Sequence, residues 1–276
     1  MSDDQKKQIL KWLDEHGGPV ELQVASAFQR AGFTVSQGLH WLDLESSKLR
    51  ECDLLAFRQR NIAVEGTHFA VATTFLVECK RSQHPWVAFV ANDDDPFAKN
   101  EPYTVFSWIV DDLAREHVLP DVAQLAKGLP SIYSDGPSAY SLVEARLGTP
   151  AQKTEANRAF NAVQQVLDAT EARYEKIIKA EGKSRCHFMF PILVFDGALY
   201  RYSLGTSGAE LQQVPETTLF LRDRMLGSGM ARVQVVTLRG LEGFLARAKA
   251  QEGWIGDLAY KVVERRNEAK DAARGA

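Results

Sequence analysis

The chain has 276 residues, 45% of them hydrophobic and 25% charged, enough apolar material for one large domain or two small ones. Five Trp and 14 Phe exclude a largely disordered chain, and a formal net charge of −3 excludes a globally basic binder, so any contact with a polyanion must come from a local patch. Cys52, Cys79 and Cys186 stand singly, which leaves no C-x-x-C zinc or redox pair, and the charged start with no run of roughly 18 apolar residues points to a soluble, cytoplasmic protein with no membrane segment.

A first helix is expected over 5–16, closed by Gly17 and Gly18. Pro19 opens a second, "PVELQVASAFQRAG", with Val20, Val24, Ala27, Phe28 and Ala31 on one stripe, Glu21 in its first turn and Gly32 as its stop. The period then shortens. "FTVSQGLHWLDL", "LRECDLLAFR" and "HFAVATTFLVECK" read as a three-stranded antiparallel meander, joined by the polar stretches "ESSK" and "QRNIAVEGT". Further on come a Pro-bearing loop, "ANDDDPFAKNEP", a helix near 104–117, and a second loop around "SIYSDGPSAY". A long helix over 154–180 carries Ala159, Phe160, Val163, Val166, Leu167 and Tyr174 inward. "CHFMFPILVFDGALYRY" then supplies a doubly covered strand, a turn at Asp196 and Gly197 and another strand, "RVQVVTL" one more, and 239–270 a helix.

The chemistry concentrates in "FLVECKRS". On a strand, side chains two apart share a face with Cα atoms about 6.6 Å apart, so Glu78 and Lys80 project together while Phe75, Val77 and Cys79 enter a core. On the preceding strand, Glu51 and Asp53 are expected on one face and Cys52 and Leu54 on the other. Hairpin pairing brings Asp53 beside Glu78. Two carboxylates held that close are costly unless a cation, a shared proton or Lys80 offsets the repulsion. Mg²⁺ suits the demand: it is a hard ion that takes one or two carboxylates and keeps waters in its other positions.

Asp53, then Glu78-Cys79-Lys80 after a hairpin, with Glu21 on the preceding helix, resembles the signature of the PD-(D/E)XK, or restriction endonuclease-like, nuclease superfamily. By motif the resemblance covers 19–80; by element order it extends to the helix at 154–180 and the strand at 189–195. It implies an α/β fold with a core of helix, three-stranded antiparallel meander, helix and strand. One elaborated domain over 1–276 is then expected, with the core motif region at 19–80, an insertion at about 81–150, and the remaining core with a C-terminal helical extension at about 151–276. The residue before Asp53 is Cys52 where the family has proline, and about 70 residues separate Lys80 from the long helix; the helix near 104–117 is an alternative occupant of that place. The resemblance also implies a Mg²⁺-dependent endonuclease, with Mn²⁺ able to substitute. Asp53 and Glu78 would be metal ligands, the main-chain carbonyl of Cys79 a further one, and Glu21 would reach the metal shell directly or through water. Lys80 would position or help deprotonate the attacking water and stabilise charge on the transition state.

Other readings of the same residues are blander. Glu-x-Lys is also a common same-face ion pair of exposed strands, and Glu21 also complements a helix dipole. Glu51 reads as solvated, and Asp93, Asp94 and Asp95 as a solvated loop. Arg81, Ser82, Gln83 and His84 would lie near a scissile phosphate in a nuclease, though His84 also suits a turn before Pro85 and Trp86 a core. "GTSG" at 205–208 reads as a turn. The expected function is hydrolysis of phosphodiester bonds in nucleic acid, DNA above all, in phage defence, restriction or repair, as a homodimer or with a partner subunit. The alternative is a catalytically silent module of the same fold that binds nucleic acid or a partner protein.

Overall fold

The computed structural model describes residues 2–15, 18–43, 48–64, 67–90, 132–133, 137–146, 158–180, 185–206, 208–222 and 230–275. Helix α1 spans Asp3–Glu15 and α2 Gly18–Arg30. Gly32, at φ 92°, ends α2: the amide of Phe33 bonds the carbonyl of Phe28 (3.1 Å) and that of Gly32 the carbonyl of Gln29 (3.0 Å), a left-handed cap that turns the chain into a strand. The meander follows as β1 (Thr34–Asp43), β2 (Lys48–Val64) and β3 (Thr67–Arg81), each antiparallel to the next. "QRNIAVEGT" is not the connection its polarity suggested, because β2 runs on to Val64 and β3 starts at Thr67. Arg60 within that stretch and Arg58 just before it are tied to the buried Glu252 at 2.7 and 3.4 Å, which holds the extended arm against the C-terminal helix.

Strand β4 (Trp86–Val90) and β5 (Ala139–Glu144) lie in the stretch read as insertion. Then come α3 (Arg158–Ala180), β6 (Arg185–Asp196), β7 (Leu199–Gly205), β8 (Gly208–Gln213), β9 (Glu216–Arg222), β10 (Met230–Thr237) and α4 (Leu241–Gly275). The helix expected near 104–117, the loop "ANDDDPFAKNEP" and Asp93, Asp94 and Asp95 lie outside the described residues. The ten strands among the described residues join one mixed sheet in the order β1-β2-β3-β6-β10-β9-β5-β4-β7-β8, which makes the class α/β. Strand β6 runs parallel to β3, so the crossover between them contains α3. "GTSG" does fall at a turn: Gly205 pairs Gly208 at the end of the β7–β8 hairpin.

The pairs β3–β6 and β4–β7 are both parallel and follow each other along the same two chain segments. The first ends at Arg81↔Asp196 and the second begins at Trp86↔Leu199, so four residues, 82–85, bridge the corner on one side against two, 197–198, on the other. Trp86 stacks on Phe195 with centroids 4.0 Å apart and pins the corner from inside.

Helices α2 and α4 cover one face of the sheet over a core of Phe28, Phe75, Phe190 and Phe244, while α3 covers the other over Leu76, Trp86, Leu193 and Phe195. Phe75 is the hub of the first core, with ring centroids 5.3 to 5.7 Å from those of Phe33, Phe190 and Phe28. Strand β6 sends Phe190, Ile192 and Val194 to the first core and Met189, Leu193 and Phe195 to the second, which is why its sequence is apolar without alternation. Among the described residues no helix is long and apolar enough to cross a membrane.

Candidate active site

The β2–β3 ladder stops at Leu54↔Val77. Beyond it β2 stays with β1, through Leu39↔Cys52 to Asp43↔Lys48, while β3 stays with β6 as far as Arg81↔Asp196. The sheet therefore opens a seam between residues 53 and 78, the position one ladder step past the last pair. Gly38, across from Asp53 on β1, has φ 63°, a conformation that favours glycine and lets β1 and β2 bend away.

Two groups close the top of the seam without a ladder. Asp53 Oδ2 accepts the Cys79 amide at 2.7 Å, and the Cys52 thiol donates to the carbonyl of Val77 at 3.4 Å. Because N–H and C=O of one strand residue point toward the same neighbouring strand, the Cys79 carbonyl also faces the seam. Cys52 corrects the face expected for it: it packs with Leu55 and Leu76 in the second core, whereas Leu54 is in the first, so alternation breaks across Asp53. Phe75, Val77 and Cys79 do enter the first core together.

Glu78 is almost wholly enclosed, its side chain 3% exposed. Its Oε1 pairs with Lys80 Nζ, and its Oε2 is buried with no hydrogen-bond partner. Burial pushes its carboxyl up to about 7; Asp53 and Glu21 push the same way, and Lys80 opposes them. Asp53 is also raised, by burial first and by Glu51, against the pull of Lys80 and the Cys79 amide. Burial works against the charge of Lys80, yet Glu78 and Asp53 together hold it above the ordinary lysine range. Glu21 projects from α2 within electrostatic reach, raised by burial, Asp53 and Glu51. Glu51 itself is exposed beside His40, as a solvated rim residue. The structure thus brings Asp53, Glu78 and Lys80 together, with Glu21 within electrostatic reach of all three.

No group of three or more His, Cys, Asp or Glu among the described residues stands ready-made for a metal ion. The donor set nevertheless suits Mg²⁺, which needs only one or two carboxylates and keeps its waters. Glu78 Oε2 is a hard oxygen with no partner, Asp53 Oδ1 lies outside the bond to Cys79, and the Cys79 carbonyl faces the same seam. The thiols do not compete. Burial raises Cys52 to about 12 and Cys79 well above the ordinary thiol, so both stay protonated.

One acid escaped the sequence reading. Glu144, at the end of β5, is buried; its Oε1 takes the Ser82 hydroxyl and its Oε2 the Arg146 Nε at 3.1 Å. Ser82 also accepts the His84 amide at 3.0 Å. Only the alternation in "AYSLVE" marked this strand, and the turn residues before it masked the signal. Comparison with known proteins gives no match: no family model, curated protein or solved structure matches the chain.

Proposed function

We propose that the protein is a Mg²⁺-dependent nuclease that hydrolyses phosphodiester bonds in DNA, with a restriction endonuclease-like core made of α2, β1–β3, α3 and β6. The observation that carries this reading is the buried, unpartnered Oε2 of Glu78, which stands at the seam one step past the last β2–β3 pair and beside the Lys80 ammonium. A carboxylate oxygen kept dry and unbonded costs several kcal/mol in a purely structural role. A divalent ion removes that cost. When bound, Mg²⁺ would supply an acidified water and polarise the scissile phosphoryl group.

Asp53 and Glu78 would hold the ion, with the Cys79 carbonyl; Glu21 would steady a water on the α2 side. Lys80 is held in its charged form by Glu78 and Asp53. Its part would be to position or help deprotonate the nucleophilic water and to offset charge on the phosphoryl oxygens. Restriction, phage defence or repair as the setting follows from the resemblance of the motif alone.

The test is cleavage of a mixed panel of duplex and single-stranded DNA and of RNA, with Mg²⁺ or Mn²⁺. DNA should be cut by the wild type and left intact by Glu78→Ala and Lys80→Ala chains that retain the wild-type circular dichroism. A wild type that cuts nothing with either ion would overturn the reading and favour a silent binding module.

A further inference from the structure

An acidic site has to receive an acidic substrate. Glu21, Glu51, Asp53 and Glu78 surround the seam, and the whole chain carries a net charge of −3, so neither local nor global field draws a phosphate backbone in. Lys80 is paired with Glu78 and, in the proposed reaction, engaged at the attacking water. A nuclease built this way needs cations set beside the acids, held so that they do not collapse onto them.

Such a cation lies along the line of β3. Glu78, Lys80 and Ser82 follow at two-residue steps, with Ser82 still in register through its amide bond to the Asp196 carbonyl at 3.3 Å. Their side chains thus share a face, Ser82 about 6.6 Å beyond Lys80. There the corner stretch 82–85 is two residues longer than its counterpart 197–198 between β6 and β7. Glu144 holds that stretch. With its side chain 0% exposed, it spends one oxygen on Ser82 and the other on Arg146, whose side chain is 30% exposed. Burial works against the charge of Glu144, but the Ser82 and Arg146 bonds, the charge of Arg146 and, least, that of Arg158, exposed at the start of α3, hold its carboxyl below the ordinary range. A buried, ionised glutamate that holds a partly exposed arginine at the corner two residues past Lys80 is a device for aiming a guanidinium.

We propose that Arg146, aimed by the buried Glu144 that also anchors the corner after Lys80, is a phosphate-binding residue for the nucleic-acid strand lying in the β2–β3 seam. The inference rests on the nuclease reading of that seam, and Glu144 is its positioning residue. Arg146 contacts a phosphate flanking the bond to be broken, so its contribution is to affinity and strand placement.

Binding of a fluorescein-labelled 30-mer DNA duplex, read by anisotropy with Ca²⁺ in place of Mg²⁺ across a salt titration, tests the proposal. Arg146→Gln should weaken binding about tenfold and lower the log–log salt slope by about one. Arg146→Lys should restore the slope, because it restores the charge. Glu144→Gln should weaken binding with the slope intact, since the charge stays and its aim is lost; Lys249→Ala, on the exposed side of α4, should change neither. Thermal melts of each variant exclude unfolding as the cause. Unchanged affinity and slope in Arg146→Gln, or an equal loss in Lys249→Ala, would overturn the proposal, as would a wild type that does not bind the duplex. Normal binding with no cleavage in Mg²⁺ or Mn²⁺ would overturn the nuclease reading alone and leave Arg146 as the phosphate contact of a binding module.

Discussion

Replacing Glu78 by Gln should make the metal-free protein more stable at neutral pH while abolishing the proposed cleavage. Below pH 4.5 the carboxyl is protonated in both folded and unfolded chains and contributes no pH dependence. Between pH 4.5 and about 7 the unfolded chain has released the proton while the folded chain still holds it, so each step upward in pH favours unfolding; above about 7 the loss is complete. The displacement from 4.5 to about 7 corresponds to about 3 kcal/mol, and the side chain is 3% exposed, so solvent screening removes little of it. Asp53 and Glu21, raised as well, add to the fall in the same direction.

In a chain of 276 residues that energy corresponds to about 5 °C in melting temperature. The assay is a set of melts in EDTA from pH 5 to 8, wild type against Glu78→Gln. The wild type should lose about 5 °C relative to the variant across that range, and Mg²⁺ at about 100 times its Kd should return about 2.7 kcal/mol to the wild type alone. Parallel profiles in EDTA would refute the reasoning, because they would mean that Glu78 ionises without cost and needs no ion.

Three further outcomes follow from the same geometry. Asp53→Ala strands the Cys79 amide and should cost about 1–3 kcal/mol by urea unfolding, with loss of the Mg²⁺-induced rise in melting temperature. Phe75→Ala opens the hub of four phenylalanine rings and should cost about 3–5 kcal/mol in the same assay, with the pH profile of the site unchanged. Gly38→Ala meets a φ of 63° and an added Cβ 3.2 Å from Glu51 Oε1, so it should cost about 1–2 kcal/mol and weaken Mg²⁺ stabilisation by straightening β1 where the seam opens.

The meander, the doubly buried β6 and the long helices were legible because each carries a hydrophobic period over ten or more residues. Glu78 and Lys80 were legible for the same reason: the apolar run from Phe75 sets their face without knowledge of the neighbours. Cys52 was not, because its face depends on a break in the pleat at Asp53, where the two ladders part opposite the left-handed Gly38, and no local pattern encodes that. Strands β4, β5, β8 and β9 were missed because they are short, and β8 is exposed along its whole length, so alternation has nothing to report. Glu144 required knowing that β5 ends beside residue 82, a contact across 62 positions of sequence.

Asp53 and Glu78 sit one ladder step past the same seam, yet the fold uses them with opposite sign. Asp53 replaces a lost backbone partner: its oxygen takes the Cys79 amide that β2 no longer reaches, so the residue stabilises the parted sheet whether or not an ion is present. Glu78 does nothing comparable, since one oxygen is bound only to Lys80 and the other to nothing. Removing the first carboxylate should therefore cost stability together with metal response, while neutralising the second should cost metal response and gain stability. A structural salt bridge would not divide in this way, because breaking it from either side destabilises. If both substitutions destabilised the metal-free chain, the seam would be a brace of the sheet, and the argument for an ion within it would lose its energetic basis.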